Sequence, residues 1–329
     1  MKNLIDKKCA PVLIYVYNRA DNFAKCIAAL SSCKLSYMTD VYIASDGAKN
    51  ENDQASVSKI RNIASSYNEH FKSLTVFKRE ENLGAEKNKK LAHDYVLKSF
   101  DSIITLEDDV EMGIDCLQFL NHYLVNLANN ESIVGVCSYL PYDASHVEKT
   151  AMLLPFRSPY AFAKWKHKEH LLNDTQEKNL NYFRVWRHFV AYLNRRPHNM
   201  FVLPLILNGD WKVAHDVNIG LVMHRKKLSC VYPPSSLSRN NGFNKSGLNA
   251  SIKDKFKQQA VLQRLQETAL YPEKLILSEK VVASLAKLHQ KPIRYIFILP
   301  VYFAINNKLI YCIYKMAYLR YRIWKRLRC

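Results

Sequence analysis

The sequence predicts an α/β protein in which a mainly parallel sheet is flanked by helices. Through the first 140 residues, short apolar runs rich in β-branched and aromatic residues alternate with segments of helical spacing. The helical segments are long enough to connect parallel strands, which need crossovers of a dozen or more residues. Hydrophobic residues make up 48% of the chain and charged residues 23%, a composition that excludes a mainly disordered protein.

Five strands and five helices are predicted from these periodicities. The strands are residues 12–17, 41–45, 74–78, 102–106 and 133–138. The helices are residues 20–30, 51–70, 84–100, 114–128 and 251–270. Residues 141–250 show a less regular pattern with several prolines, so we expect them to pack on the sheet and to form the other side of a cleft. The predicted division is a domain over 1–250, in halves 1–140 and 141–250, followed by a helical basic region over 251–329.

Chain length and cysteine content indicate the number of domains and the cellular compartment of the protein. At ~150 residues per domain, 329 residues fit two domains or one large domain with appendages. The eight cysteines include no C-x-x-C pair and no clustered His/Cys spacing, which favours a reducing cytoplasmic compartment over a disulfide framework. The first residues do not have the pattern of a cleaved leader, and no run reaches the ~18 apolar residues of a membrane span.

Positive charge is concentrated at the C-terminal end. The formal net charge is +19, and from Lys280 onward there are eleven Lys/Arg and no Asp/Glu. Such a segment indicates an anionic partner: lipid headgroups, nucleic acid or an acidic polymer. A helix over 307–328 would place an apolar stripe on one face, made of Ile310, Ile313, Tyr314, Ala317, Tyr321 and Trp324. Lys308, Lys315, Arg322 and Arg326 would lie on the opposite face. This pattern favours a membrane interface, although a helix packed on the core with a solvated basic face is the alternative.

Polar residues follow three of the predicted strands. Arg19, Asp46 and the cluster Glu107-Asp108-Asp109 each lie just beyond a strand's carboxyl end. In open α/β sheets ligands bind at this edge. The carboxylates suit Mg²⁺ or Mn²⁺, which takes one or two protein carboxylates together with substrate phosphates. The alternative is a solvated acidic loop, and Asp46-Gly47 is also typical of a plain turn. The sequence has neither a dinucleotide-binding nor a P-loop glycine motif.

Four segments in order resemble a known family: PVLIYVYNRADNFAKCIAAL, IASDGAK, REENLGAEKNKKLAHDYVL and SIITLEDDVEMGIDCLQFLNHYL. They are similar to GT-A glycosyltransferases, and in particular to N-acetylglucosaminyltransferase I and bacterial sugar transferases of polysaccharide and lipopolysaccharide assembly. The similarity runs from about residue 11 to residue 247. It implies a GT-A, Rossmann-like fold with an irregular acceptor-side half. The basic amphipathic helical tail expected from the sequence pattern lies outside the similar region.

The resemblance also implies roles for individual residues. Arg19 and Asp46 match nucleotide-binding positions, with Asp46 near the uracil. Asp109 matches the metal-binding carboxylate, and Glu107 and Asp108 match positions beside the sugar and ribose. The turn at 82–84 enters a helix that closes over the donor, and residues 160–170 are similar to an aromatic loop at donor and acceptor.

Two later segments carry further implied residues. NGDWKVAHD resembles the segment with the general base, which places the base on Asp210, with Asp216 as second choice. VYPPSSLSRNNGF resembles a segment on the diphosphate side, so Ser238, Arg239 and Asn241 are expected there. The chain departs from bacterial relatives after Gly247, where Leu248-Asn249 replaces a small residue and a His.

The expected function is therefore an inverting, metal-dependent glycosyltransferase, a hexosyl- or N-acetylhexosaminyltransferase using Mn²⁺ or Mg²⁺. The expected donor is a UDP-sugar, and the expected acceptor is a glycan or lipid-linked glycan of surface polysaccharide or lipopolysaccharide. We expect a peripheral protein at the cytoplasmic face of the inner membrane, bound through the C-terminal tail, with no nucleic-acid partner. The alternatives are a nucleotidyltransferase acting on sugar phosphates and a non-catalytic membrane- or polyanion-binding module.

Overall fold

The computed structural model describes residues 9–140, 144, 146–195, 202–209, 215–242, 266–289 and 298–327. The chain divides into two compact units. The sheet unit comprises Met1–Leu154, Ser158–Glu169 and Ser229–Ser278. The helical unit comprises Pro155–Arg157, His170–Leu228 and Glu279–Cys329.

Two sheets lie in the sheet unit. Their strands are β1 Val12–Val16, β2 Asp40–Ser45, β3 Ser73–Lys78, β4 Ser102–Glu107, β5 Val110–Met112, β6 Ile133–Cys137, β7 Met152–Leu154, β8 Phe162–Trp165, β9 Ser229–Tyr232 and β10 Ser238–Asn240. The large sheet has the order β3-β2-β1-β4-β8-β6-β9-β7, and β5 pairs with β10 in a second sheet. Strands β8 and β7 run antiparallel to their neighbours, and the other six strands of the large sheet share one direction.

Helices cover both faces of this sheet. Those of the sheet unit are α1 Ala20–Ser31, α2 Glu51–Ser65, α3 Ala85–Val96, α4 Cys116–Asn126 and α10 Glu267–Leu270. Because successive strand side chains point to opposite faces, Ile14 packs with Phe23 of α1 in one apolar cluster. Leu13 packs with Ala92 of α3 in another cluster. All four side chains are fully buried.

This architecture confirms the predicted α/β class with its mainly parallel sheet. The five predicted strands are present with ends shifted by one residue at most. Four of the five predicted helices are present; α1 is one residue longer than predicted, and α2, α3 and α4 are shorter. The helix expected over 51–70 ends at Ser65 and is followed by a 3₁₀ turn, Asn68–His70. Of the helix expected over 251–270, only the last residues are described, and Glu267–Leu270 is helical. Cys26 and Cys137 are buried free thiols, as expected for core residues.

The helical unit has its own core. Its helices are α6 Gln176–Phe183, α7 Trp186–Arg195, α8 Leu203–Leu207, α9 His215–Lys226, α11 Glu279–His289, α12 Ile298–Asn306 and α13 Lys308–Leu327; the short α5, Glu169–Leu172, precedes them. Phe183, Phe189 and Leu203 pack with Val301 and Ile305 of α12. Part of the stretch with the less regular sequence pattern is therefore helical. Within the described part of the chain, no helix is both long and apolar enough to cross a membrane.

Candidate active site

The carboxyl ends of β1, β2 and β4 meet at one edge of the large sheet. Val16 at the end of β1 is in register with Ser45 at the end of β2, and Tyr15 is in register with Glu107 at the end of β4. Arg19, Asp46 and the Glu107-Asp108-Asp109 cluster follow these three strands directly. The sequence-based expectation that three strands bring polar side chains to a single edge is confirmed.

Arg19 binds both aspartates of the cluster. Its Nη1 donates to Asp109 Oδ2 at 2.7 Å, its Nε donates to Asp108 Oδ2 at 3.2 Å, and its Nη2 contacts Asp108 Oδ1. The aspartate side chains are 3% and 6% exposed, and that of Arg19 is 21% exposed. Arg19 was expected to contact the nucleotide, and in the structure its guanidinium also neutralises the turn between β4 and β5.

Burial sets the protonation behaviour of the two aspartates. Loss of water raises the pKa of Asp108 to about 6, although the Arg19 charge opposes this rise; the neighbouring Asp109 and Glu107 add to it. Burial likewise raises the pKa of Asp109, again against the effect of Arg19. For Arg19 itself burial lowers the pKa, but the two carboxylates outweigh burial and the pKa is raised overall.

One oxygen of Asp109 is buried without a hydrogen-bond partner among the described residues. This atom is Oδ1, whereas Oδ2 is held by Arg19. A Cβ atom on Gly242 would lie 2.4 Å from Oδ2, so glycine is needed for the backbone to approach this carboxylate so closely. A buried carboxylate oxygen that lacks a partner fits a cation ligand. Among the described residues no group of three or more His, Cys, Asp or Glu is placed to hold a metal.

Glu107 is the outermost carboxylate of the cluster. Lys89 of α3 donates to its Oε1 at 2.7 Å, and both side chains are more than a third exposed. The Lys89 ammonium also lies 5.2 Å from the centre of the Tyr15 ring. Lys89 is a site residue that sequence reasoning missed. Nothing in the local sequence distinguishes Lys89 from the other lysines of α3.

Asp46 organises the loop before α3. Its Oδ1 accepts the N–H groups of Gly47 (3.0 Å) and Leu83 (2.8 Å), and its Oδ2 accepts that of Gly84 (3.0 Å). A Cβ on Gly47 would lie 2.4 Å from the Glu81 carbonyl carbon, so only glycine lets the two loops approach. The Asp46-Gly47 pair is thus more than a plain turn, because it ties the 82–84 turn to the end of β2.

The small β5–β10 sheet brings Arg239 beside the acidic turn. Glu111 Oε2 accepts from Arg239 Nε at 2.7 Å, and Asn241 Nδ2 also contacts Glu111. The Asn241 N–H donates to the Asp109 carbonyl at 2.7 Å. Sequence reasoning missed Glu111, because the three-residue strand β5 that holds it was not predicted. Ser238 lies inside, with its Oγ 2.7 Å from Ser138 Oγ.

Two expected site residues are not described in full, and a third expected segment lies in the core. Asp210, the expected base, is outside the described residues, and of Asp216 only the backbone in α9 is described. The expected aromatic loop contains β8, in which Trp165 is 3% exposed and donates from Nε1 to the Leu124 carbonyl at 2.8 Å. Trp165 is therefore a core residue of the sheet unit, because a strand between β4 and β6 buries it.

Comparison with known proteins gives loose structural likenesses. No family model matches the chain, and no curated protein matches its sequence. Among solved structures, the mannosyltransferase PcManGT from Pyrobaculum calidifontis, in complex with GDP-Man and Mn²⁺, is similar at a TM-score of 0.35 and 17% identity, over 52% of this chain and 50% of that chain. The bifunctional glycosyltransferase WbbM, as an apo structure, is similar at a TM-score of 0.29 and 11% identity, over 54% of this chain and 34% of that chain.

The chain thus spans half the length, or less, of these two proteins. The particular resemblance to N-acetylglucosaminyltransferase I stays a prediction.

Proposed function

We propose that the protein is a metal-dependent, inverting glycosyltransferase that uses a nucleotide-diphosphate sugar. The observation that carries the proposal is the buried turn after β4, in which Arg19 holds Asp108 and Asp109 while Oδ1 of Asp109 has no hydrogen-bond partner among the described residues. A sheet edge with clustered carboxylates and cations suits a ligand that combines phosphates with a divalent cation. The four ordered segments with GT-A likeness support the same class.

Asp109 is the residue that would hold the cation, through Oδ1. When bound, a divalent cation such as Mn²⁺ or Mg²⁺ offsets the negative charge that develops on a departing diphosphate. Arg239 would add positive charge on the diphosphate side, and Glu111 holds its guanidinium in place. Glu107 and Asp108 would lie beside the sugar and the ribose, and Asp46 would lie beside the base while it holds the 82–84 turn.

The transfer step needs one base. An acceptor hydroxyl oxygen attacks C1 of the donor sugar, the bond from C1 to the diphosphate oxygen breaks, and the diphosphate leaves with the bond's electron pair. In this proposal the carboxylate of Asp210 takes the hydroxyl proton. Attack from the face opposite the leaving group inverts the configuration at C1.

The finer assignments follow from the resemblance. We propose a UDP-sugar as donor, with a hexosyl or N-acetylhexosaminyl group transferred to a glycan or lipid-linked glycan of surface polysaccharide or lipopolysaccharide. The proposed place of action is the cytoplasmic face of the inner membrane.

A nucleotide-sugar panel tests the donor. Thermal unfolding is followed with UDP-, GDP-, ADP- and CMP-sugars, each with and without Mn²⁺. The expected result is a melting temperature raised by a UDP-sugar, more so with Mn²⁺, since a ligand that binds only the folded state stabilises it. Asp109→Asn should lose the Mn²⁺-dependent part, and the exposed Asp101→Asn should keep it. No shift with any UDP-sugar would remove the donor assignment.

The released product separates the reaction classes. A glycosyltransferase releases UDP, whereas a nucleotidyltransferase acting on a sugar phosphate releases pyrophosphate. Loss of UDP release in both Asp109→Asn and Asp210→Asn, with Asp101→Asn active, is the expected result. Unchanged turnover in either variant would contradict the proposed roles, and absence of both products would favour a non-catalytic module.

A further inference from the structure

The helices α12 and α13 each bury one face within the helical unit. Val301 and Ile305 of α12 are fully buried in its core, and Tyr314 and Tyr318 of α13 pack partly buried against the same cluster. The Tyr302 hydroxyl donates to the Arg184 carbonyl at 2.5 Å, which fixes α12 against the segment between α6 and α7. These contacts settle which side of each helix faces the protein.

The opposite side of both helices exposes a large apolar surface. On α13, Leu309 is 71% exposed, Ile313 57% and Met316 59%, at the three- to four-residue spacing of a single helix face. Of the sixteen exposed large hydrophobic side chains in the described part of the chain, eight belong to α12 and α13: Leu299, Phe303, Leu309, Ile310, Ile313, Met316, Leu319 and Tyr321. We call these eight the apolar stripe. Scattered exposed apolar residues are ordinary, but a concentration of this kind marks an interaction surface.

This arrangement corrects one part of the predicted helix face. The sequence pattern predicted that Tyr314 lies on the apolar face together with Ile310 and Ile313. In the structure Tyr314 packs against the core, as Tyr318 does. Compared with the predicted face, the exposed apolar face of α13 therefore includes Leu309 and Met316. The alternative of a helix packed on the core holds for one face, since Tyr314 and Tyr318 pack against the buried cluster. The face with Ile310, Ile313 and Tyr321 remains exposed.

The charged residues of α12 and α13 are all basic. No Asp or Glu occurs after Glu279, and Lys308 and Arg320 lie exposed on α13 itself. A basic helix with an aliphatic face has the chemistry of an element that lies in the headgroup layer of an anionic bilayer. A second copy of the chain would bring the six Lys/Arg of its own α13 against the six of the first copy, and these charges repel at short range. Nucleic acid would use the charges but would leave the aliphatic side chains exposed.

We propose that α12 and α13 dock this protein on an anionic lipid surface, with the apolar stripe inserted among the acyl chains and the basic residues at the phosphate level. This inference goes beyond the proposed catalysis and does not depend on it. Docking through a helix face requires no membrane span.

Vesicle co-sedimentation of the full chain tests the proposal. The probes are vesicles of phosphatidylcholine alone and of phosphatidylcholine with phosphatidylglycerol. Binding is expected only to the second kind. The triple variant Leu309→Gln, Ile313→Gln and Met316→Gln keeps the charge and should weaken partitioning at least about tenfold, because it removes aliphatic area from the bilayer. Lys308→Gln and Arg320→Gln should each weaken it about fivefold. Tyr37→Gln, which changes an equally exposed side chain of the sheet unit, should bind as the wild type does.

A fluorescent label reports insertion even if the triple variant is unstable. Among the described cysteines, Cys312 is the exposed one, on the same helix as the stripe. With Cys329→Ser in place, an environment-sensitive dye on Cys312 should shift to shorter wavelength with the anionic vesicles and stay unchanged with phosphatidylcholine alone. Melting temperatures and size-exclusion profiles accompany each variant.

Three outcomes would overturn the proposal. The first is equal partitioning of wild type and a folded triple variant. The second is a dye that does not respond to anionic vesicles. The third is a wild-type dimer that the triple variant converts to monomers in the absence of lipid, which would make a second copy the occupant of the stripe.

Discussion

The guanidinium of Arg19 lies 2.7 Å from Asp109 Oδ2 and at the same time bridges the carboxylate of Asp108. One cation from the end of β1 thereby compensates two buried carboxylates that follow β4. Without it, two adjacent charges would be desolvated with little to offset them. The pairing occupies Oδ2 of Asp109, whereas Oδ1 has no hydrogen-bond partner among the described residues.

Arg19→Met should destabilise the fold strongly. The substitution keeps much of the side-chain volume but leaves two buried carboxylates uncompensated, which costs about 3 kcal/mol or more. Urea unfolding measures the free energy. Lys59→Met is the matched control, because Lys59 pairs with Asp21 on the surface with both side chains more than half exposed, and pairs of this kind contribute little. Equal stability of the two variants would mean that the Arg19 contacts are not formed in solution.

The raised pKa of Asp108 predicts a pH dependence of stability. The pKa is about 6 in the folded protein against 3.8 for the ordinary group, so the folded state binds more protons between these values. Stability from this group therefore falls as the pH rises from about 4 to about 6, with a slope on the order of 1 kcal/mol per pH unit.

Unfolding curves for wild type and Asp108→Asn across this window provide the measurement. Groups common to both proteins cancel in the difference, including His122, whose pKa burial lowers. The difference between the two free energies should change with pH in that direction. A difference that stays constant with pH would show that Asp108 is ionised throughout.

Most of the fold was predictable because its signals are local. Residues 12–16 are apolar on both faces, as is typical of a central strand of a parallel sheet, and they form β1. Gly84 comes directly before the first residue of α3. The strand-end rule located Arg19, Asp46 and Asp109 together for the same reason, since parallel strands end at a common edge.

The pairings within the site were not predictable in this way. Arg19 and Asp109 are 90 positions apart, and Glu111 and Arg239 are 128 positions apart. These contacts join residues that are distant in the sequence, and the position of the β5–β10 pair after the acidic turn sets them. The local periodicity of the sequence does not predict that position. The pattern on α13 failed at Tyr314 for a related reason: periodicity defines faces, but packing decides which face is buried.

Asp46→Asn should loosen the loop before α3. The asparagine can accept only through one oxygen, and its amide would face the Gly84 or Leu83 N–H that Asp46 now accepts. Loss of these charge-assisted bonds should cost about 1–3 kcal/mol. Hydrogen exchange at Leu83 and Gly84 should accelerate relative to Asp101→Asn. Unchanged protection of these two amides would argue against the Asp46 clamp.

Lys168→Met should destabilise the sheet unit without touching the candidate site. The buried Lys168 ammonium donates to the carbonyls of Leu127 (2.8 Å), Asn130 (2.8 Å) and Ile133 (2.9 Å). Removing the donor takes one hydrogen bond to a charged group from each of the three carbonyls, at about 1 kcal/mol each. The carbonyls of Leu127 and Asn130 keep a backbone N–H partner. Lys166→Met is the control, since Lys166 is exposed. Thermal and urea unfolding should show a loss of about 2–4 kcal/mol for Lys168→Met and no measurable loss for the control.

Arg239→Lys and Glu111→Gln should weaken diphosphate binding in distinguishable ways. Arg239 is more than a third exposed, so the lysine variant should fold normally. The lysine ammonium cannot form the two parallel hydrogen bonds of a planar guanidinium, and it therefore binds phosphate less specifically. We expect the dissociation constant for UDP, measured by calorimetry with Mn²⁺, to rise about tenfold. Glu111→Gln keeps the guanidinium but weakens its anchor, so the constant should rise less while binding becomes more sensitive to temperature. If Arg239→Lys binds UDP as tightly as the wild type, Arg239 serves only to pair with Glu111 and the diphosphate must be held by other residues.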